Sequence, residues 1–466
     1  MRYLPNSAAD RARMCEAIGL RSGEELFAQI PAALRLNAPL QTPGPLSESE
    51  ILDFFRQAAS QSSKDYTSFL GAGAYSHYRP AAIDMLLSRG EFFTAYTPYQ
   101  AEISQGTLQA MFEFQTLIAQ LTGMEVANSS LYDGSTATNE AVLIALRVTR
   151  RERVVLARTL HPEYREVCRT YSRNLGVALE EIACAHSGQV DLQRLEAAID
   201  DKTAAVVVQS PNFFGAIERI PEISQVAHNR GALLIVAVAE PLALALLRPP
   251  READIVSGEA QSFGVPVAFG GPYAGFLATH EKFVRQMPGR LVGQTKDADG
   301  RRGFVLTLVT REQFIRREKA TSNICTSQSL CALAATIYLC LLGKQGLRRL
   351  AEHNLAKAHY AAQQLASVSG AELPFPAPFF NEFVIRTPGD ARKVLAALEE
   401  EKILGGVALE RFYPELQDHL LVCVTETASR QAIDRMAKVY RRLGRRETVM
   451  GEADLRAAPA GKGTRG

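Results

Sequence analysis

Two short segments concentrate the residue types that do chemistry. The first, DGSTATNEA at 133–141, sets Gly134, Ser135 and Thr136 at the start of an apolar-periodic run. A helix opening there offers free backbone N–H groups and hydroxyls to an anion, aided by the helix dipole. The same residues also make an ordinary N-cap, and both readings stay open on local sequence. The second segment, 96–105, reads Tyr96, Thr97, Pro98, Tyr99, Gln100, Ala101, Glu102, Ile103, Ser104 and Gln105. Phenols, carboxamides and a carboxylate on irregular backbone suit orienting a substrate or moving a proton. The bland alternative is a packed loop whose polar groups satisfy one another. A basic run, Arg311, Arg316, Arg317 and Lys319, reads mostly as a solvated helix face, with carboxylate binding near Asn323 as the sharper alternative. Arg290 in MPGRLVG carries the same ambiguity.

Other chemistries are disfavoured. The 7 cysteines include no CxxC pair and the 8 histidines no HxxxH or HExxH, so neither a disulfide framework nor a zinc site is expected. The cysteines read as buried small residues in a reducing, cytoplasmic compartment. A net charge of +2 gives no case for nucleic acid. The N-terminus is charged without an apolar core, so no secretory signal is read there. The longest apolar run, 231–247, is broken by Glu240 and Pro241, and no membrane span is expected.

The elements that must position these groups follow from periodicity. Residues 8–60 read as helical, with Ser47 and Glu50 spaced as a capping box. From 107 onward helices alternate with almost continuously apolar strands at 153–157, 204–210, 232–238 and 253–258. That rhythm calls for a parallel sheet buried on both faces. After the apolar run 329–343, an α+β pattern describes a smaller C-terminal domain. The expected divisions are an N-terminal helical segment at 1–60, a large domain at 61–345, a small domain at 346–443 and a disordered tail at 444–466. The 466 residues are enough for one large and one small core.

The large sheet domain, the Gly-Ser-Thr helix start and the small domain together resemble the aminotransferase-like fold of pyridoxal-phosphate enzymes (fold type I), which implies a mostly parallel seven-stranded sheet. In that fold the cofactor phosphate sits on such a helix start, an Asp on a central strand pairs with the pyridine nitrogen, and a Lys after a later strand forms the Schiff base. Aligned on the following Gly-Val-Pro and Gly-Gly-Pro, Gln261 stands at the Lys position and Ala237 at the Asp position. A carboxamide forms no imine. Ser135 and Thr136 then become a vestigial phosphate loop, and His161 a ring-stacking position with no ring to stack on.

The strings FFTAYTPYQAEISQGTLQAMFEFQ, SSLYDGSTATNEA, QSFGVPVAFGGPYAGFLA, RQMPGRLVG and TREQFIRREKATSNICT closely resemble the glycine decarboxylase P-protein family of the glycine cleavage system, in particular its N-terminal-half subunit. The resemblance implies a glycine dehydrogenase (decarboxylating) subunit that holds no pyridoxal phosphate itself. The companion subunit 2 is expected to bind the cofactor, and the pair to decarboxylate glycine and pass the aminomethyl group to the lipoyl arm of H-protein. Tyr96, Tyr99, Gln100, Glu102 and Ser104 are the residues expected to be lent to the partner's site. Two alternatives are an autonomous pyridoxal-phosphate lyase or transferase using a displaced Lys282, Lys296 or Lys319, and a purely structural or regulatory subunit.

Overall fold

A computed structural model describes residues 5–36, 38–62 and 65–457, with 445–457 as backbone only. The chain divides into two compact units, Met1–Lys64 and Asp65–Gly466. In the first, helices α1 (Ala8–Ala17) and α2 (Glu48–Ser60) each open on a capping box, Ser7 with Asp10 and Ser47 with Glu50. Between them the expected helix around 25–30 is only a 3₁₀ turn, Gly23–Phe27.

The second unit contains the site. Its first elements are β1 (Thr67–Ser68), α3 (Ala81–Leu87), α4 (Gly90–Phe93), α5 (Gln105–Thr122), β2 (Val126–Ala127) and α6 (Gly134–Thr149). There follow β3 (Arg153–Ala157), α7 (Pro162–Ser172), β4 (Ala178–Ile182), α8 (Leu192–Ala198), β5 (Thr203–Gln209), α9 (Ile220–His228), β6 (Leu233–Val238), β7 (Ile255–Glu259) and β8 (Gly275–Thr279). Strands β2 to β8 form one seven-stranded sheet in the order β2-β8-β7-β6-β5-β3-β4. Only β8 runs against the rest.

Strand alternation, with a core on each face, explains why β3, β5, β6 and β7 read as continuously apolar. Val155, Val206, Val208, Leu234, Val236 and Val256 pack with α5, α8, α9 and residues 332–339. Val154, Leu156, Val207, Ile235, Ile255 and Leu277 pack with α6 and α7 on the opposite face. Each such burial contributes about 1.5–3 kcal/mol relative to exposure.

Residues 291–307, polar and basic in sequence, form an antiparallel hairpin of β9 (Leu291–Lys296) and β10 (Arg302–Thr307). Two glutamines of α5 hold it edge-on. Gln115 accepts from Val292 N and donates to Val292 O, and Gln105 does the same with Phe304.

Helix α10 (Ser329–Ala366) is long and apolar enough by composition to span a bilayer, yet its buried residues pack in two protein cores. Gly343, at φ 58° and ψ −178°, breaks its ladder between the half on the large sheet and the half in the small core. That second core is completed by β11 (Glu382–Arg386), α11 (Ala391–Glu400), β12 (Ile403–Leu404), β13 (Val407–Ala408), β14 (His419–Cys423) and α12 (Arg430–Ala457). The three-stranded order is β11-β14-β13, and β1 pairs with β12. Helix α12 continues past Gly444, where a disordered tail is expected from sequence, because 445–457 is rich in helix-forming residues. The expectation for 458–466 lies outside the described residues.

Candidate functional site

The site is built where β7 ends against the start of α6. Glu259, the last residue of β7, is buried. One carboxylate oxygen accepts from Gly134 N at 2.9 Å, and the other from Ala274 N at 2.9 Å and Gln261 N at 3.0 Å. Burial pushes its pKa up to about 7 despite these donors. Position 134 must be glycine for this approach, since a Cβ there would lie 2.1 Å from the Tyr164 hydroxyl. The other expected anion-binding groups are engaged by Asp133, the N-cap of α6. Its Oδ1 accepts from Thr136 N, Thr136 Oγ1 and Ser135 Oγ at 2.7, 2.9 and 2.7 Å. Of the two readings of this helix start, the geometry is that of an N-cap.

Gln261 is equally engaged. Its Oε1 accepts from Tyr75 N at 2.8 Å, while Nε2 donates to Tyr75 O at 2.9 Å and Val265 O at 2.7 Å. All the hydrogen-bonding capacity of Nε2 is thereby met within the chain. Ala237 lies on β6 beside Ser257 of β7, and no carboxylate shares that register position. His161 donates from Nε2 to Ala72 O at 2.8 Å and accepts at Nδ1 from Glu163 N at 3.2 Å, which makes it a neutral ring. Burial holds its pKa below the usual value. Tyr164 and Phe213 rings sit 4.9 Å from it.

The segment 71–77 is gripped from several sides. Glu382 accepts from Ala72 N and from the Tyr75 hydroxyl, both at 2.7 Å. His77 lies between Glu240 and Glu426, at 2.9 and 2.8 Å. At the positions expected from sequence to handle the cofactor, the residues therefore do not fit pyridoxal phosphate. There is no amine to form an imine, no carboxylate for a pyridine nitrogen, and an acid already stands at the helix start.

The segment 96–105 is an exposed surface. Tyr96 is 85% and Ile103 81% exposed, and Gln100 and Glu102 are exposed as well. Ser104 is half-buried at the start of α5 and makes no side-chain cap. Tyr99 is the anchored member. Its ring packs 5.1 Å from Phe314 and 5.7 Å from the Arg290 guanidinium. Arg290 is buried and donates to Thr326 Oγ1 and Cys325 O, both at 3.0 Å, tying this surface to the NICT segment. A cleft of about 280 Å³ lies between Phe93, Tyr96, Thr107, Ser327 and Leu330.

Several sequence expectations need correction. Arg311 is no solvated residue: it is buried and donates to Met287 O and Gly289 O, while Arg316, Arg317 and Lys319 are exposed. No α-helix carries this run, only the 3₁₀ turns Val309–Arg311 and Arg317–Lys319. Only Cys168 and Cys423 are buried, and Cys325 and Cys340 are exposed. Glu259, Tyr75 and Glu382 escape the sequence reading. The signal for Glu259 is a lone acid ending the apolar strand ADIVSGEA.

The profile of the family described as "Glycine cleavage system P-protein" matches residues 1–440. The chain belongs to the glycine cleavage system P-protein family. It is 56% identical to the probable glycine dehydrogenase (decarboxylating) subunit 1 of Koribacter versatilis, across 94% of this chain and 99% of that one. The counterpart from Solibacter usitatus is 54% identical across 96% and 99%. Among solved structures, the inhibitor-bound glycine decarboxylase (P-protein) of the glycine cleavage system superposes with a TM-score of 0.85 at 42% identity, covering 95% of this chain and 100% of that one. A sphingosine-1-phosphate lyase of Burkholderia pseudomallei (TM-score 0.65, 17% identity, 92% and 100% covered) shares the fold alone. The P-protein chain thus has the fold type I architecture that the resemblance implies.

Proposed function

We propose that this chain is the cofactor-free half of a two-part cytoplasmic glycine decarboxylase. With a homologous subunit 2 that holds pyridoxal phosphate, it supports loss of CO2 from glycine and transfer of the aminomethyl group to the lipoyl arm of H-protein. The observation that carries this reading is Gln261. In a chain matching the P-protein family over 1–440, the Schiff-base position is a carboxamide hydrogen-bonded to Tyr75. Pyridoxal phosphate, when bound by the partner, supplies the electron sink for the carbanion. This chain's own contribution is the surface at 96–105. Tyr96, Tyr99, Gln100, Glu102 and Ser104 present hydroxyl, carboxamide and carboxylate groups that can orient substrate or hold a proton for the partner's site. Buried Arg290 keeps the Tyr99 ring in place.

The decisive experiment is glycine/CO2 exchange by the purified chain, alone and with subunit 2. Activity is expected only in the mixture, and exchange by the isolated chain would sink the proposal. Borohydride reduction with peptide mapping tests the displaced-lysine alternative. Lys282, Lys296 and Lys319 are all exposed, which gives no buried amine for an imine. In the assembled enzyme, Tyr99→Ala and Glu102→Ala are each expected to lower turnover by ~10²-fold, in the range of a positioned acid–base group. Unchanged turnover would favour a purely structural subunit.

A further inference from the structure

A helix N-terminus attracts an anion because its first N–H groups lack partners. At the start of α6 the anion is already supplied by the chain. We propose that the Glu259 carboxylate replaces a ligand phosphate at this helix start and, with Gln261, fills the space where β7 meets α6, so that restoring a lysine at 261 does not restore cofactor uptake. This inference rests on the reading of position 261 given above.

The geometry opposes entry from two sides, with Glu259 the decisive one. Glu259 engages Gly134 N, Gln261 N and Ala274 N, so an incoming phosphate would find those donors taken and a buried acid in its place. The Tyr164 hydroxyl closes the space beside Gly134. On the other side, Gln261 clamps both backbone groups of Tyr75 and caps Val265 O. A lysine ammonium at 261 would meet Tyr75 O and Val265 O, the two carbonyls that now accept from Nε2. Held there as a charged donor, it is not a nucleophile as long as Glu259 keeps the cofactor's phosphate, and with it the aldehyde, from seating beside it. Tyr75 N would meanwhile lose its acceptor. The space is thus a joint between β7, α6 and 71–77, and a lysine at 261 does not by itself reopen it.

The test uses the full chain in four forms: wild type, Gln261→Lys, Glu259→Ala and the double variant. Each is incubated with pyridoxal phosphate, reduced with borohydride and mapped. Gln261→Lys is expected to carry no pyridoxyl group at 261, and the double variant to carry one. In parallel, inorganic phosphate is titrated against chloride of matched ionic strength. Phosphate is expected to raise the Tm of Glu259→Ala by several degrees, as binding to the native state must, and to leave wild type unmoved. If Glu259→Ala folds only with phosphate present, refolding yield against phosphate gives the same readout. Stoichiometric labelling of position 261 with Glu259 in place overturns the inference, as does a Glu259→Ala chain indifferent to phosphate. A label on another lysine of the wild-type chain would instead overturn the two-subunit reading.

Discussion

At the residue scale, the informative side chain is a glutamine that does what a peptide unit does. Gln261 both donates to and accepts from the backbone of Tyr75, so its replacement leaves buried groups without partners. Gln261→Leu, close in volume, is expected to cost at least ~3 kcal/mol, since Tyr75 N, Tyr75 O and Val265 O each lose a bond worth about 1–3 kcal/mol when left unsatisfied. A urea-denaturation midpoint unchanged from wild type would contradict that assignment. Position 261 can be singled out in sequence because Gly-Val-Pro and Gly-Gly-Pro follow it closely. Glu259, two residues earlier, cannot, because the role of its carboxylate is set by Gly134, which lies 125 positions away in the chain. Burial by distant segments leaves no local pattern to read.

Among the elements, α6 and α10 show opposite uses of their ends and middles. Asp133→Ala removes the acceptor for Thr136 N and is expected to destabilise by ~1–2 kcal/mol, as N-cap losses do. Gly343→Ala meets no atom within 4 Å, so its cost is purely that of the backbone at φ 58° and ψ −178°. That cost is about 1–3 kcal/mol, and a thermal melt with unchanged Tm would show that the kink tolerates a side chain. Strands β3, β5, β6 and β7 were legible because two buried faces make them uninterruptedly apolar, whereas β4, Ala-Leu-Glu-Glu-Ile with its first residue exposed, carries no such run. The hairpin β9–β10 was not legible, since part of what holds it is Gln105 and Gln115 on a helix far away in sequence. Residues 280–287, HEKFVRQM, have helical periodicity in sequence yet form only a 3₁₀ turn, Glu281–Gln286, with Phe283 buried.

For the molecule as a whole, His77 joins the two cores of the second unit. Glu240 follows β6 of the large sheet and Glu426 follows β14 of the small one. Burial opposes the imidazolium charge, but the two carboxylates outweigh it and raise His77 to about 10. Burial likewise works against the Glu426 carboxylate, which His77 nonetheless holds at about 2. Removing one member of such a buried set costs about 3–5 kcal/mol, so His77→Gln is expected to lower the urea midpoint sharply.

The pH dependence follows with a definite sign. Burial raises Glu140, Glu218, Glu259 and Glu382 to about 7, so between roughly 4.5 and 7 the native chain binds more protons than the unfolded one. His77 extends that excess from about 6.5 to 10. Stability of the isolated chain is therefore expected to be greatest near pH ~5 and to fall toward pH 10, by up to ~1.4 kcal/mol per pH unit per proton. His77→Gln should flatten the alkaline part of that curve. A wild-type midpoint that rises from pH 6 to 9 would refute the assignment.

The three glutamines that bridge a backbone N–H and C=O have a consequence for hydrogen exchange. Tyr75, Val292 and Phe304 each have an amide proton held by a side-chain oxygen and not by a neighbouring strand. Their exchange with solvent deuterium can open by a rotamer jump of one glutamine, without unzipping a ladder. These amides should accordingly exchange faster than their neighbours on β7 or β5. The rate at Tyr75 would be a direct clock for how often the joint at position 261 lets go.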